Sequence, residues 1–82
     1  MPCYVYVLES LKVDKYYVGQ TNDLENRLIR HNAGYEQFTS MYCPWKLVWH
    51  CEKPNKSEAM LLEKKLKNLS KERLKQFVVK YS

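Results

Sequence analysis

The chain has little of what would mark a secreted, zinc-scaffolded or membrane-spanning protein. Of its 82 residues three are cysteine and two histidine: Cys3, Cys43 and Cys51, with His31 and His50. An odd number of cysteines, with no C-x-x-C pair and no clustered histidines, fits neither a disulfide framework nor a zinc site. Such thiols are expected to be reduced and packed. No apolar run approaches the roughly 18 residues of a membrane span, and the start Met1-Pro2-Cys3-Tyr4 lacks the basic segment of a signal peptide. Glycine and proline are scarce, at two and three residues, while 45% of the chain is apolar and 28% charged. That composition lies outside the disordered, collagen-like and coiled-coil classes. The expectation is one globular domain over residues 1–82, soluble and cytoplasmic, with no zinc and no membrane association.

What is present is positive charge, unevenly spread. The chain carries 14 Lys and Arg against nine acids, for a net +5. Residues 1–41 are close to neutral, at −1, so residues 42–82 hold +6. A face of that kind suits a polyanion such as nucleic acid, although a lysine-rich helical surface that serves only solubility has the same composition.

The pattern of apolar residues gives the order of elements. Residues 3–9 and 16–20 alternate β-branched and aromatic side chains, which predicts two short strands in an antiparallel hairpin. With period two, Tyr4, Tyr6 and Leu8 share one face of the first strand. Tyr17 and Gly19 oppose Tyr16, Val18 and Gln20 on the second. Tyr6 and Tyr17 can therefore share a face. Asn22 is the expected N-cap of a helix stopped by Gly34, with Leu24 and Leu28 on its buried stripe and Arg27 and His31 at the stripe's border. Residues 35–44 lack a period and read as an exposed loop. A third strand follows in which Trp45, Leu47, Trp49 and Cys51 alternate with polar neighbours, one face buried. Asn55 or Ser57 caps the next helix, whose stripe is Ala59, Leu62, Leu66 and Leu69 with Glu63 at its edge. Ser70 caps the last helix. The order β-β-α-β-α-α predicts an α+β fold, a three-stranded antiparallel sheet flanked by helices.

Tyr6, Tyr17, Arg27 and Glu63, with His31 beside Arg27, thus fall at the edges of buried faces. A core-edge arginine needs a negative partner, and Glu63 in a purely structural ion pair would meet that need. Taken singly, each of these residues also has an ordinary structural explanation.

Their order and spacing carry more. Tyr4-Val5-Tyr6, followed by the run from Tyr17-Val18-Gly19 through Arg27 to His31-Asn32, resembles the signature strands and helix of the GIY-YIG nuclease superfamily. Thr39, then Pro44-Trp45-Lys46-Leu47-Val48, then Ser57 to Lys67 around Glu63 match the later blocks, so the likeness covers residues 3 to about 75. Tyr4 departs from the pattern, standing where the name-giving first glycine would be. Within the superfamily the chain resembles the small stand-alone bacterial members that consist of the nuclease domain alone.

The resemblance implies a metal-dependent endonuclease that hydrolyses DNA phosphodiester bonds, in DNA repair or recombination. It implies Tyr6, Tyr17, Arg27, His31 and Glu63 as catalytic residues, with Glu63 also the metal ligand and no organic cofactor. One Mg²⁺ or Mn²⁺ suits a lone carboxylate, because such an ion accepts one protein oxygen plus waters and phosphate oxygens. Arg27 suits developing phosphate charge. Tyr6 is expected as the base, helped by nearby positive charge because a free phenol has a pKa of about 10. Tyr17 then orients the water, and His31 bonds a tyrosine or the phosphate, while His50 has no role. DNA contacts should be mostly to the backbone, with little sequence preference. The alternative is a nucleic-acid-binding module on the same fold with weak or no catalysis.

Overall fold

A computed structural model describes residues 2–81; Met1 and Ser82, the two ends of the expected domain, lie outside the described residues. The order of elements is β1 (Cys3–Ser10), β2 (Tyr16–Thr21), α1 (Leu24–Ala33), a short 3₁₀ helix (Thr39–Tyr42), β3 (Trp45–Lys53), α2 (Lys56–Lys67) and α3 (Lys71–Tyr81). The three strands form one antiparallel sheet in the order β2-β1-β3, as the α+β pattern predicts.

Central β1 is covered on both faces, and six of its eight residues are buried. Cys3, Val5 and Val7, with Val18 of β2, pack against Ala59 and Leu66 of α2 and Leu74 of α3. Tyr6 and Leu8 face the other way, joining Trp45 in a second cluster with Tyr17, Leu24 and Leu28. The hairpin register pairs Tyr6 with Gly19 and Leu8 with Tyr17, so the two tyrosines share the α1 side as expected. Tyr16 turns to the other side and packs against the first cluster.

The third strand departs from expectation. Its partners on β1 jump from Trp49 opposite Val7 to Leu47 opposite Leu8, which leaves Val48 as an extra residue. This bulge breaks the period of two. Trp45 and Leu47 therefore pack on the α1 side, while Val48 and Trp49 pack on the side of α2 and α3. Simple alternation would have put Trp45, Leu47, Trp49 and Cys51 on one face.

Two other expectations need correction. Asp23, not Asn22, caps α1: its carboxylate accepts the Asn26 N–H at 3.1 Å. The Thr21 hydroxyl accepts the Asp23 N–H at 3.1 Å and donates to its carbonyl, which sets the turn one residue later. Residues 35–44 are also more ordered than a plain loop. They contain the 3₁₀ helix, and Thr39 at its start is 1% exposed. The Thr39 carbonyl accepts the Trp45 indole N–H at 2.9 Å, tying the segment to β3.

The remaining caps follow the sequence. Gly34 ends α1 in the left-handed region at φ 82°, with its N–H directed to the Arg30 and His31 carbonyls. Asn55 caps α2 by accepting the Glu58 N–H at 2.9 Å, and Ser70 caps α3 through the Arg73 N–H at 3.2 Å.

Candidate active site

Strand β2 pairs on one side only, with β1, and the expected site residues gather around it from both faces of the sheet. On the α1 face, Tyr6, Tyr17 and His31 form a compact trio. Ring centroids lie 6.2 Å apart for Tyr6 and Tyr17, 5.8 Å for Tyr6 and His31, and 5.0 Å for Tyr17 and His31. Tyr6 and His31 are each 1% exposed, whereas Tyr17 is half-buried.

A buried chain of hydrogen bonds runs through this trio. The Tyr6 hydroxyl meets His31 Nε2 at 2.9 Å, and His31 Nδ1 meets Thr39 Oγ1 at 2.7 Å. Thr39 Oγ1 in turn donates to the Glu36 carbonyl at 3.5 Å. That last bond assigns the direction of the others. His31 Nδ1–H donates to Thr39, and Nε2 accepts from the Tyr6 O–H. Every member of the chain is thereby satisfied, as buried polar groups must be. Of the two partners expected for His31, a tyrosine or a phosphate, the tyrosine is the one seen in the structure.

Burial controls the protonation of both rings. It pushes the Tyr6 hydroxyl well above the ordinary phenol value. Tyr17 adds to that shift, Arg27 opposes it, and Glu36 and Glu63 raise it further. Positive charge near Tyr6 is thus present, as expected, but burial outweighs it. His31 moves below its usual value, chiefly by burial, with Arg27 and Arg30 pressing the same way against Glu36. At neutral pH the pair is therefore a phenol hydrogen-bonded to a neutral imidazole.

Gly19 makes room for this arrangement. A Cβ built there would stand 2.6 Å from Tyr6 Oη and 3.0 Å from the Tyr17 ring. No side chain fits beneath the two tyrosines. The motif glycine was visible in the sequence, but the hydroxyl it accommodates was not.

Glu63 reaches β2 from the α2 face. Its Oε1 accepts from Gln20 Nε2 at 3.0 Å, and Gln20 Oε1 accepts from the Cys3 thiol at 3.3 Å. Its Oε2 pairs with Lys67 at 2.8 Å, one helical turn on. Lys67 thus takes the place that a structural ion pair would have given to Arg27. Arg27 is half-buried and lines a cavity with Cys3, Gln20, Thr21 and Asn22.

Among the described residues no three His, Cys, Asp or Glu side chains gather, and Glu63 is the carboxylate that reaches β2. Half-buried and already oriented by Gln20, that oxygen donor fits an ion that keeps most of its waters. Thr39 and Gln20 are the members of the site to which sequence reasoning gave no part. A signal existed for Thr39, in the block it belongs to; for Gln20 there was only its place beside Gly19.

The chain matches the GIY-YIG catalytic domain over residues 2–76. It is 37% identical over 76 residues to a UPF0213 protein of Halalkalibacterium halodurans, an alignment covering 92% of this chain and 80% of that protein. A UPF0213 protein of Streptococcus pneumoniae serotype 4 is 36% identical over 76 residues, covering 92% and 76%. The solution NMR structure of the UPF0213 protein from Bacillus halodurans superposes with a TM-score of 0.64 at 34% identity, over 99% of this chain and 86% of that one. Among the described residues no helix is long and apolar enough to cross a membrane.

Proposed function

Because the chain belongs to the GIY-YIG nuclease superfamily, we propose that it is a metal-dependent endonuclease hydrolysing DNA phosphodiester bonds. The observation that carries this reading is the buried chain from Tyr6 through His31 to Thr39, in which His31 Nε2 accepts the Tyr6 O–H and is the atom to which the Tyr6 proton can pass. A phenol whose pKa is raised cannot act as a base by waiting as a phenolate. It can act if it releases its own proton as it receives one.

The proposed reaction runs as follows. A water attacks phosphorus in line with the 3′ oxygen. Its proton passes to Tyr6 Oη, and the Tyr6 proton moves to His31 Nε2. The bond from phosphorus to the 3′ oxygen breaks, leaving a 5′-phosphate and a 3′ oxygen that takes a proton from solvent water to become the 3′-hydroxyl. Tyr17, the more exposed tyrosine, orients the water. Arg27 meets the charge that grows on the phosphate oxygens. Glu63 would hold one Mg²⁺ or Mn²⁺, which supplies neutralisation of the leaving oxygen when bound. Gln20 keeps Glu63 Oε1 aimed, and Lys67 must yield Oε2.

The same reading places the protein in DNA repair or recombination and, with its substrate, in the cytoplasm. Substrate contacts would be to the DNA backbone more than to base edges.

One observation favours the alternative of a binding module with weak catalysis: Lys67 already pairs with Glu63, the candidate metal ligand. The two are separated by incubating the protein with end-labelled single-stranded, duplex, flap and branched DNA in Mg²⁺, Mn²⁺ or EDTA. Glu63→Ala serves as control for contaminating nuclease. Metal-dependent cuts that vanish in Glu63→Ala support the enzyme; binding without cuts supports the module.

A further inference from the structure

The cavity containing Arg27 has a volume of about 490 Å³ and opens at the end of β2, between α1 and the first turn of α2. Its polar lining is Gln20, Thr21, Asn22, Arg27 and Lys56, with no carboxylate. That absence is notable because acids lie close by in sequence. Asp23 and Glu25 line a different hollow with Tyr4 and Leu24, and Glu58 lines another with Lys53 and Leu61. Arg27 and Lys56 line this concavity and no carboxylate does, although Asn22 also borders the hollow that Asp23 and Glu25 line.

Both cations are uncommitted. Elsewhere Arg30 pairs with Glu36, Lys67 with Glu63 and Lys71 with Asp14. Arg27 and Lys56 have no such partner among the described residues, and the Asn22 amide makes no side-chain hydrogen bond there. Lys56 is also badly placed for its own helix. It is the first residue of α2, where the helix dipole favours negative charge. A lysine at that position costs the helix a little stability and gains something only if an anion meets it.

We infer that this cavity binds a backbone phosphate of the DNA strand next to the one cleaved, with Lys56 as its principal contact and Asn22 as a hydrogen-bond donor. The inference rests on the nuclease reading, because Arg27 forms the wall shared by the cavity and the site. It narrows the protein's general positive charge to one path. The strand passes from Glu63 and Arg27 across the end of β2 to the start of α2, and the lysines of α3 lie off it.

The test measures binding of a fluorescein-labelled oligonucleotide in EDTA, so that no cleavage intervenes, over a series of salt concentrations. Wild type is compared with Lys56→Gln and with Lys75→Gln, a change on α3 beside another hollow. Both lysines are exposed, and thermal melting checks that each variant folds. Losing one phosphate contact should reduce the slope of log affinity against log salt by about one. Lys56→Gln is expected to show that loss with several-fold weaker binding, and Lys75→Gln to keep the wild-type slope. Amide NMR signals of Thr21, Asn22 and Lys56 should also shift when wild type meets the oligonucleotide. If Lys56→Gln keeps the wild-type slope and affinity, or Lys75→Gln loses as much, the site assignment is overturned while DNA binding stands. If wild type binds no DNA even at low salt, the nuclease reading falls and takes the cavity's role with it.

Discussion

The Tyr6 hydroxyl occupies the space that a side chain on Gly19 would fill, with only 2.6 Å from Oη to an ideal Cβ. The two residues are cross-strand partners, so neither can move without the hairpin. Gly19→Ala must therefore push the phenol away from His31 Nε2. The expected result is a loss of about 1–3 kcal/mol in stability, the usual range for overpacking, read by denaturant unfolding. Cleavage should fall well beyond what the unfolded fraction explains. Unchanged stability and turnover would mean that the strand adapts and the close contact carries no function.

Tyrosine to phenylalanine changes separate the roles of the three neighbouring rings. Tyr6→Phe should fold and bind DNA while its cleavage rate drops by roughly 100-fold or more, the scale of lost general-base catalysis. Tyr17→Phe should lose less. Tyr17 is the more exposed of the two, so a greater loss there would make it the base and Tyr6 its support. Tyr16 bonds Glu9 on the opposite face and should tolerate the change with little loss of rate.

Stability should depend on pH through His31. Its folded pKa lies below the unfolded value of about 6.5. As pH falls below 6.5, the unfolded chain takes up a proton that the folded chain resists, so stability decreases until the folded value is reached. Above that window this contribution is complete. Melting temperature should thus fall between about pH 7 and 5, before ordinary carboxylates begin to titrate, and His31→Gln should flatten that part of the curve. A wild-type curve flat across the window would contradict the buried neutral imidazole.

The metal assignment has its own test. Glu63→Ala should abolish cleavage yet keep or improve DNA binding, since it deletes both the ligand and a negative charge near phosphate. Gln20→Leu should fold, because its ring of partners is only part-buried, but weaken Mn²⁺ binding measured by calorimetry by leaving Glu63 unaimed. Wild-type Mn²⁺ affinity in both variants would remove Glu63 from the metal site.

Much of this arrangement was legible in the sequence because local rules decide it. Period two put Tyr6 and Tyr17 on one face, Gly34 ended α1, and the stripe from Ala59 to Leu66 turned Glu63 toward the sheet edge. What escaped depends on partners far along the chain. His31 read as a border residue of its helix, yet it is buried because Thr39, eight residues on, and Tyr6, 25 residues back, satisfy both ring nitrogens. Residues 35–44 looked like open loop because nothing local shows that Trp45 will bond the Thr39 carbonyl. The Lys67–Glu63 pair has i, i+4 helical spacing and is open to sequence reading.

The bulge at Val48 has a consequence for how such a protein can change over time. Because β3 changes sides midway, Trp45 serves the helix that carries His31 and Trp49 serves the two helices on the opposite face. Drawing Val48 into the ladder by a one-residue slip would restore simple alternation and rotate Trp45 away from Thr39, unfastening the imidazole from a distance. Loss of Val48 itself would keep Leu47 opposite Leu8 and Trp49 opposite Val7, and so keep both faces. Within β3, a one-residue loss is therefore expected to be tolerated at the bulge and not on either side of it.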